Sequence, residues 1–482
     1  MTMVKNRIFN PLFLAIILMT MALSSCKDWL SIAPENDLIK EKFWTKREDV
    51  DGALAATYNA FRDGAFRSFM YGEIRADIAE FGDQFGDYNR IAASNINPTN
   101  GAINWKDYYR TINLANTLMH YDKQVLEKDK TFTQEMKDGV DAEALFLRSI
   151  SYFYLIRVWK DVPLVLEPSI SDTTELFLPK KPEKEVINQI IKDLLIAKDL
   201  AYTDQFQDNL AYYKGRANKY SIMALLADVY LWDQQYQKSI DYCDSLINTG
   251  KFALESYDTW FNLYNPGNSM SESIFEIQFD DNLESQENPM YESLLFPSQL
   301  SFGKILPTIL DKEDLRQVGT IGPEHKYMGI TYNSPVGRSS AQRDANFIYY
   351  RYADILLMKA EAATELNNFQ MGNEFLNLTR ERAGLSVIDI TVKDDLRKAI
   401  LDERAREFVI EGKRWFDLLR AAKRNHFEKK QIIIDMILAG ADIQQQAILR
   451  TKVYDTMSYY LPIQEGDLLY NPNLEQNPFY NR

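Results

Sequence analysis

The chain is poor in the residues that carry most metal and nucleophilic chemistry. Its 482 residues include three histidines, His120, His325 and His426, and two cysteines, Cys26 and Cys243. No Cys/His zinc cluster can be assembled from that set, and a histidine-based triad has few candidates. Nucleophile-elbow and metal-hydrolase motifs are missing, so neither a metal nor a cofactor is expected. Basic charge is also in deficit: Lys plus Arg is 55 against 69 Asp plus Glu, net −14. That balance excludes nucleic acid as a partner, because phosphates demand basic surface. It equally excludes adhesion to anionic lipid by charge. Beyond residue 30 no apolar run approaches the ~20 residues of a membrane span. What is present in quantity is apolar material, 46% of residues, enough for a large core and too much for a disordered chain. Aromatics reach 13%, with 28 tyrosines.

The amino terminus differs from all that follows. Lys5 and Arg7 are its only charges before an apolar run from Ile8 to Leu23. These are the n-region and h-region of a secretory signal. The run stops at Leu23-Ser24-Ser25-Cys26, which has the form of a lipobox. Residues 1–25 are therefore expected to be removed and Cys26 to become the acylated first residue. Several acyl chains on one cysteine satisfy the two-signal requirement for stable anchoring in outer-membrane lipid. Cys243, then the one remaining thiol, is expected to be buried in an amphipathic helix.

The body reads as helices. Apolar spacing predicts them over Ala53–Phe61, Trp105–Met119, Val140–Trp159, Lys184–Leu200, Ala217–Trp232 and Gln237–Asn248. The Val140–Trp159 segment shows a seam through Ala144, Leu147, Tyr154 and Val158. Ala227, Tyr230 and Tyr236 recur at the same spacing as Ala360, Ala363 and Phe369, each set in a helix–turn–helix. Small residues at such points let helices approach closely and an aromatic closes the turn, as in tetratricopeptide-like repeats. Ser273 to Phe279 alternates and predicts a short half-buried strand, and Asn346–Tyr352 a second extended piece. Residues 262–272, 280–300 and 319–345 are rich in Asn, Ser, Gly and Pro, and long loops of this kind usually carry function.

Several blocks resemble the SusD/RagB family of outer-membrane nutrient-uptake lipoproteins, in order and over nearly the whole mature chain. They include Phe43-Trp44 with Ala53–Phe61, Ala142–Arg148 through Tyr152–Tyr154 to Asp161-Val162-Pro163-Leu164, and Gly215-Arg216-Ala217. Glu272–Phe279, Arg351–Met358 with Ala360-Glu361-Ala362, Glu403–Phe408 with Glu411–Leu418, and the tail Leu461-Pro462-Ile463 to Asn477-Pro478 complete the order. Lys160 departs from the small residue expected before Asp161. The resemblance implies an all-α-dominated fold of tetratricopeptide-like repeats with a loop-rich lobe and a few short strands. The expected division is a helical part over about 40–250, a loop-rich part over about 251–345 and a second helical part over about 346–482. It also implies a non-catalytic, surface-exposed lipoprotein of the outer membrane. Such a protein captures an oligosaccharide, or in the RagB branch a peptide, and delivers it to a SusC-type TonB-dependent β-barrel. Lys27-Asp28, directly after the cysteine, resembles the signal for the outer leaflet.

The carboxylates and arginines between Asp402 and Asp417 could be mistaken for a hydrolytic pair. Helix spacing instead predicts surface pairs Asp402–Arg406 and Lys413–Asp417, and Arg351 with Asp354 fixing the start of a repeat helix. Ligand contacts are expected in aromatic-bearing loops, where sugar C–H faces stack on rings and polar side chains meet hydroxyls. One stretch supplies Arg75, Asp77, Asp83, Tyr88 and Arg90, the other Trp260, Tyr264 and Tyr291. Phe81 and Phe85, four apart, also suit the core face of a helix. A surface-attached hydrolase and a helical-repeat scaffold that binds only protein are the competing readings.

Overall fold

The computed structural model describes residues 43–81, 86–170, 177–280, 288–290, 300–302, 313–316, 325–331, 336–339, 342 and 344–481. The lipobox with Cys26, and Asp83, Phe85 and Tyr291, lie outside them.

Helices dominate. The first half contains α1 (Arg47–Asp63), α2 (Ala65–Glu73), α3 (Gly86–Ala92), α4 (Lys106–Lys128), α5 (Gln134–Trp159), α6 (Glu183–Leu200), α7 (Leu210–Gly215), α8 (Lys219–Trp232) and α9 (Tyr236–Ile247). The seam expected on Val140–Trp159 widens to the whole circumference: every residue of α5 from Ala142 to Trp159 is buried. A helix apolar on all sides belongs at the centre, and α5 is flanked by α1, α4 and α6. It ends at Lys160, whose φ of 69° explains why a small residue suits that position. α8 is buried from Tyr220 to Trp232 and starts on a reciprocal cap. Asn218 Oδ1 accepts from the Tyr220 and Ser221 amides, and Ser221 Oγ accepts from the Asn218 amide.

The second half contains α10 (His325–Met328), α11 (Tyr352–Glu365), α12 (Phe369–Arg382), α13 (Lys393–Glu407), α14 (Arg414–Phe427), α15 (Gln431–Ala439), α16 (Ile443–Val453) and α17 (Glu465–Tyr470). The expected repeat is real at the level of individual bonds. α8–α9 and α11–α12 are hairpins, and α9 packs on α11 so that they stack. Their turns match: Gln234 (φ 60°) and Asn367 (φ 62°) occupy equivalent left-handed positions. The Gln235 and Asn368 amides bond back to the carbonyls of Tyr230 and Ala363 at 2.8 and 2.9 Å. Cys243 is fully buried in α9, and burial pushes its thiol pKa up.

Three two-stranded antiparallel ladders accompany the helices. β2 (Val162–Pro163) pairs with β3 (Lys180–Lys181). β4 (Ser273–Ile277) pairs with β6 (Phe347–Arg351), and both are buried on both faces rather than half-buried. β1 (Ala79–Phe81) pairs with β5 (Leu300–Phe302), Glu80 facing Ser301. Phe81 is thus strand, not the helical face its spacing allowed.

An ionic cluster ties these parts together. Arg351, fully buried at the end of β6, donates to Glu272 (2.7 Å), Glu407 (2.6 Å) and Glu411 (3.0 Å). Lys326 from α10 donates to Glu411 at 2.7 Å, and Arg316 to Glu403 at 2.9 Å and Glu407 at 2.7 Å. Arg382 closes on Glu407 as well. The surface pairs expected nearby are not formed. Asp402 takes Lys398 at 2.5 Å and Arg406 takes Glu403 at 2.9 Å. Lys413 reaches Asp354 at 2.6 Å, and Asp417 is held by Arg404 and Arg420 at 2.9 and 2.8 Å. Asp402 and Arg406 thus find other partners on their own helix, whereas Lys413 finds its partner on another element. Burial raises the pKa of Glu272, whereas the arginines around Glu407 carry its pKa well below the carboxylate range despite burial.

A second contact brings backbones together. A side chain on Gly72 would place Cβ 1.8 Å from the Gly412 carbonyl oxygen, so α2 touches the turn before α14 directly. Beside it, Glu73 accepts from the Gly412 amide at 2.8 Å and is fully buried. Burial pushes its carboxyl up to about 8.

Arg351→Met should cost about 3–5 kcal/mol, because breaking a buried pair strands the remaining charges. Urea unfolding measures it, and a loss below ~1 kcal/mol would show that the cluster does not hold the fold. For Glu73 the folded pKa lies above the unfolded value of about 4.3. Its stabilising contribution is therefore complete below that pH and is lost as pH rises through about 8. Glu73→Gln keeps an acceptor for Gly412 and cannot ionise. Its stability relative to the parent should climb between pH 5 and pH 8.5, and a constant difference would remove Glu73 from the pH response.

Candidate functional site

The residues expected to meet ligand fall into two groups. Arg75, Trp260 and Tyr264, expected as ligand contacts, turn inward and are buried in the fold. Arg75 donates to the carbonyls of Tyr459 and Ser458, the latter at 2.9 Å, and lies 4.2 Å above the Trp415 ring. Trp260 and Tyr264 are 5% and 2% exposed. They belong to a cluster with Phe261, Leu263 and Ile348. Tyr264 donates to Glu411 at 3.0 Å, and the Lys326 ammonium sits 5.3 Å from its ring. A ring engaged on all sides has no face left for a sugar. Asp77 is also committed, to Arg414 at 2.8 and 2.9 Å.

Tyr88 and Arg90 differ. Both lie on α3, immediately after the β1 segment, with Arg90 exposed and Tyr88 half-buried. Tyr88 meets Phe66 edge-on, with 6.1 Å between centroids. The helix is fastened from below: Asp87 Oδ2 accepts from the Gly101 amide at 2.8 Å and Asn100 donates to the Asp87 carbonyl at 2.8 Å. Arg90 pairs with Asp87 at 3.0 Å. The β1–β5 ladder joins residues 79–81, which precede α3 in the sequence, to the 300–302 segment, remote from them in the chain.

Sequence reasoning passed over another concavity. A cleft of about 750 Å³ opens between α1, the start of α5, the 201–209 turn, α7 and the end of β4. Its floor is a fixed polar set. Arg216 grips Glu143 through two bonds of 2.6 and 3.0 Å, and Tyr58 donates to Glu143 at 2.6 Å. The Ala217 amide then donates to the Tyr58 hydroxyl at 2.8 Å. Two glycines make room: a Cβ on Gly139 would lie 2.1 Å from the Tyr202 ring, and one on Gly215 would lie 2.7 Å from Gln278. Rings reach it from Tyr202, Phe206 and Tyr212. The available signal was the run of aromatics through a polar stretch, Tyr202 to Tyr213, without helical period.

The carboxylates of the ionic cluster are closed to solvent and neutralised by arginines. Among the described residues no group of three or more His, Cys, Asp or Glu could hold a metal ion.

Comparison with known proteins agrees with this architecture. The SusD family profile matches residues 320–480, and a profile described as starch-binding, associating with outer membrane, matches residues 28–231. A SusD-like protein of Formosa agariphila is 25% identical over 466 residues, covering 83% of this chain and 89% of its own. A SusD-like protein of Bacteroides ovatus is 26% identical, covering 86% and 83%. A SusD superfamily structure from Bacteroides vulgatus superposes with a TM-score of 0.74 at 22% identity, covering 91% of this chain and 100% of that one. Surface glycan-binding protein A of Bacteroides uniformis superposes with a TM-score of 0.71 at 22% identity, covering 90% and 99%. With two profiles of one family matching opposite ends of the chain in order, and a stacked helical-hairpin fold between them, the protein belongs to the SusD/RagB family.

Proposed function

We propose that this protein is a lipid-anchored nutrient-binding subunit on the outer face of the outer membrane. It captures an oligosaccharide, with peptide as the alternative cargo, and passes it to a SusC-type TonB-dependent barrel. Cys26 carries the acyl anchor. The observation that carries the ligand assignment is the pair Tyr88 and Arg90 on α3, a ring half-buried against Phe66 and an exposed guanidinium, on a helix fastened to residues 100 and 101. Side chains presented on a fastened helix suit recognition, because little ordering entropy is lost on binding. Oligosaccharide is the better cargo because the matched family is described as starch-binding and one structural relative is a glycan-binding protein.

The test has two arms. Cys26→Ala should move the protein from the membrane to the soluble fraction; a variant still wholly membrane-bound would end the anchoring claim. Tyr88→Ala should weaken retention on an oligosaccharide array about tenfold, the loss of one well-placed aromatic contact. Retention equal to the parent would remove the ligand from this face.

A further inference from the structure

The cleft beside α7 has no part in that reading, yet its walls are constructed. Tyr212 is 54% exposed, and Phe206 lies 6.0 Å from it between ring centroids. Phe206 holds a backbone φ of 68°, a region that a phenylalanine rarely enters and that usually marks a functional constraint. The Arg216 guanidinium backs its ring at 4.7 Å, and Arg216 is itself locked by both oxygens of Glu143. A fixed ion pair, rather than core burial, thus presents an aromatic pair at the surface.

The polar complement comes from α1 and the 201–209 turn. Among the described residues the side chains of Asn59, Arg62 and Gln205 make no hydrogen bond or ion pair, and all three line the cleft. Asp63, the acid that attracts Arg62, is engaged by Arg110 at 3.1 Å. Partial burial lowers the Arg62 pKa, the mark of a cation drawn from water without a bonded counter-ion. Asn59 and Gln205 are exposed and Arg62 half-buried, so these groups are free to meet a ligand beside the rings, in a cleft whose volume falls within the ~300–1,000 Å³ of ligand pockets.

The chemistry favours sugar over peptide. An extended peptide is read through main-chain hydrogen bonds at a strand edge. The α1 wall offers none, since its backbone is consumed within the helix. It offers side-chain amide and guanidinium donors, which match hydroxyls, next to rings that match C–H faces. We propose that this cleft is a second carbohydrate site, separate from the loop face. A short stretch of glycan lies on Tyr212 and Phe206 there, while Asn59, Arg62 and Gln205 bond its hydroxyls. Two sites on one chain make the second contact with a long glycan intramolecular, at an effective concentration of order millimolar. Polymer is then held more tightly than its short fragments.

The experiment uses the full-length lipoprotein in detergent with the Tyr212→Ala/Arg62→Ala double variant and the milder Gln205→Ala. A glycan array with a peptide library identifies a bound oligosaccharide, calorimetry counts it, and affinity electrophoresis follows the parent polysaccharide. The parent should bind two short oligosaccharides per chain and the double variant one, with polysaccharide retention about tenfold weaker. Gln205→Ala should weaken the second binding event alone. A double variant with unchanged stoichiometry and retention overturns the second site while leaving the loop-face reading intact. So does displacement of the cleft ligand by peptides only. If no carbohydrate on the array binds, both readings fall.

Discussion

Arg351 is the point from which the rest of the molecule can be understood. A guanidinium with no exposure is tolerable only if its full charge and its donors are met. Glu272 precedes β4, Glu407 ends α13 and Glu411 lies in the turn before α14. One cation therefore specifies how strand, helix and turn from three parts of the chain must meet. Lys326 and Arg316 extend the requirement to the irregular lobe, where short described segments carry them into the same carboxylates. Replacing such a cluster with apolar residues could equal its stability, but a slipped arrangement would then cost little.

The helical hairpins supply the complementary property. Their matched turns, with left-handed Gln234 and Asn367, set the same crossing twice, so α9 and α11 stack without a special interface. Nearest-neighbour stacking gives a stiff support whose stability is distributed along it. The binding surfaces proposed for this chain, on α3 and on the 201–209 turn, lie outside the stacked hairpins.

This division explains what was legible in the sequence. Helices announce themselves by period, and the repeat by small residues and a closing aromatic. The strand at Ser273–Ile277 was legible too, though its alternation suggested one wet face where Glu276 is buried and bonded to Asn346 at 2.8 Å. Side-chain destiny in loops was not legible. Trp260 and Tyr88 look alike in sequence, yet one is walled in by Phe261, Tyr264 and Ile348 and the other rests half-exposed on Phe66. Aromatic content cannot separate them, because burial also depends on residues remote in sequence, Ile348 for Trp260 and Phe66 for Tyr88. The pairing expected for Asp402 and Arg406 failed for a different reason: each has a second candidate at helical spacing, and each took it, Lys398 and Glu403. The cleft was invisible because α1, α5, α7 and β4 each contribute only a few residues to it.

The loop-rich lobe raises a question that the ionic cluster answers. Segments without a hydrophobic period cannot be positioned by core burial, since non-directional packing tolerates many arrangements of a short apolar stretch. Hydrogen-bonded charges are directional and do not tolerate them. Arg316 donates to Asp314, Glu403 and Glu407 from a described stretch of four residues, and Arg338 holds the Tyr264 carbonyl at 2.8 Å. Buried charge at the junction therefore fixes how these described segments meet the helical stack. The same charges must remain unavailable for chemistry: a carboxylate whose pKa arginines hold far below the usual range, like that of Glu407, cannot take up a proton near neutrality.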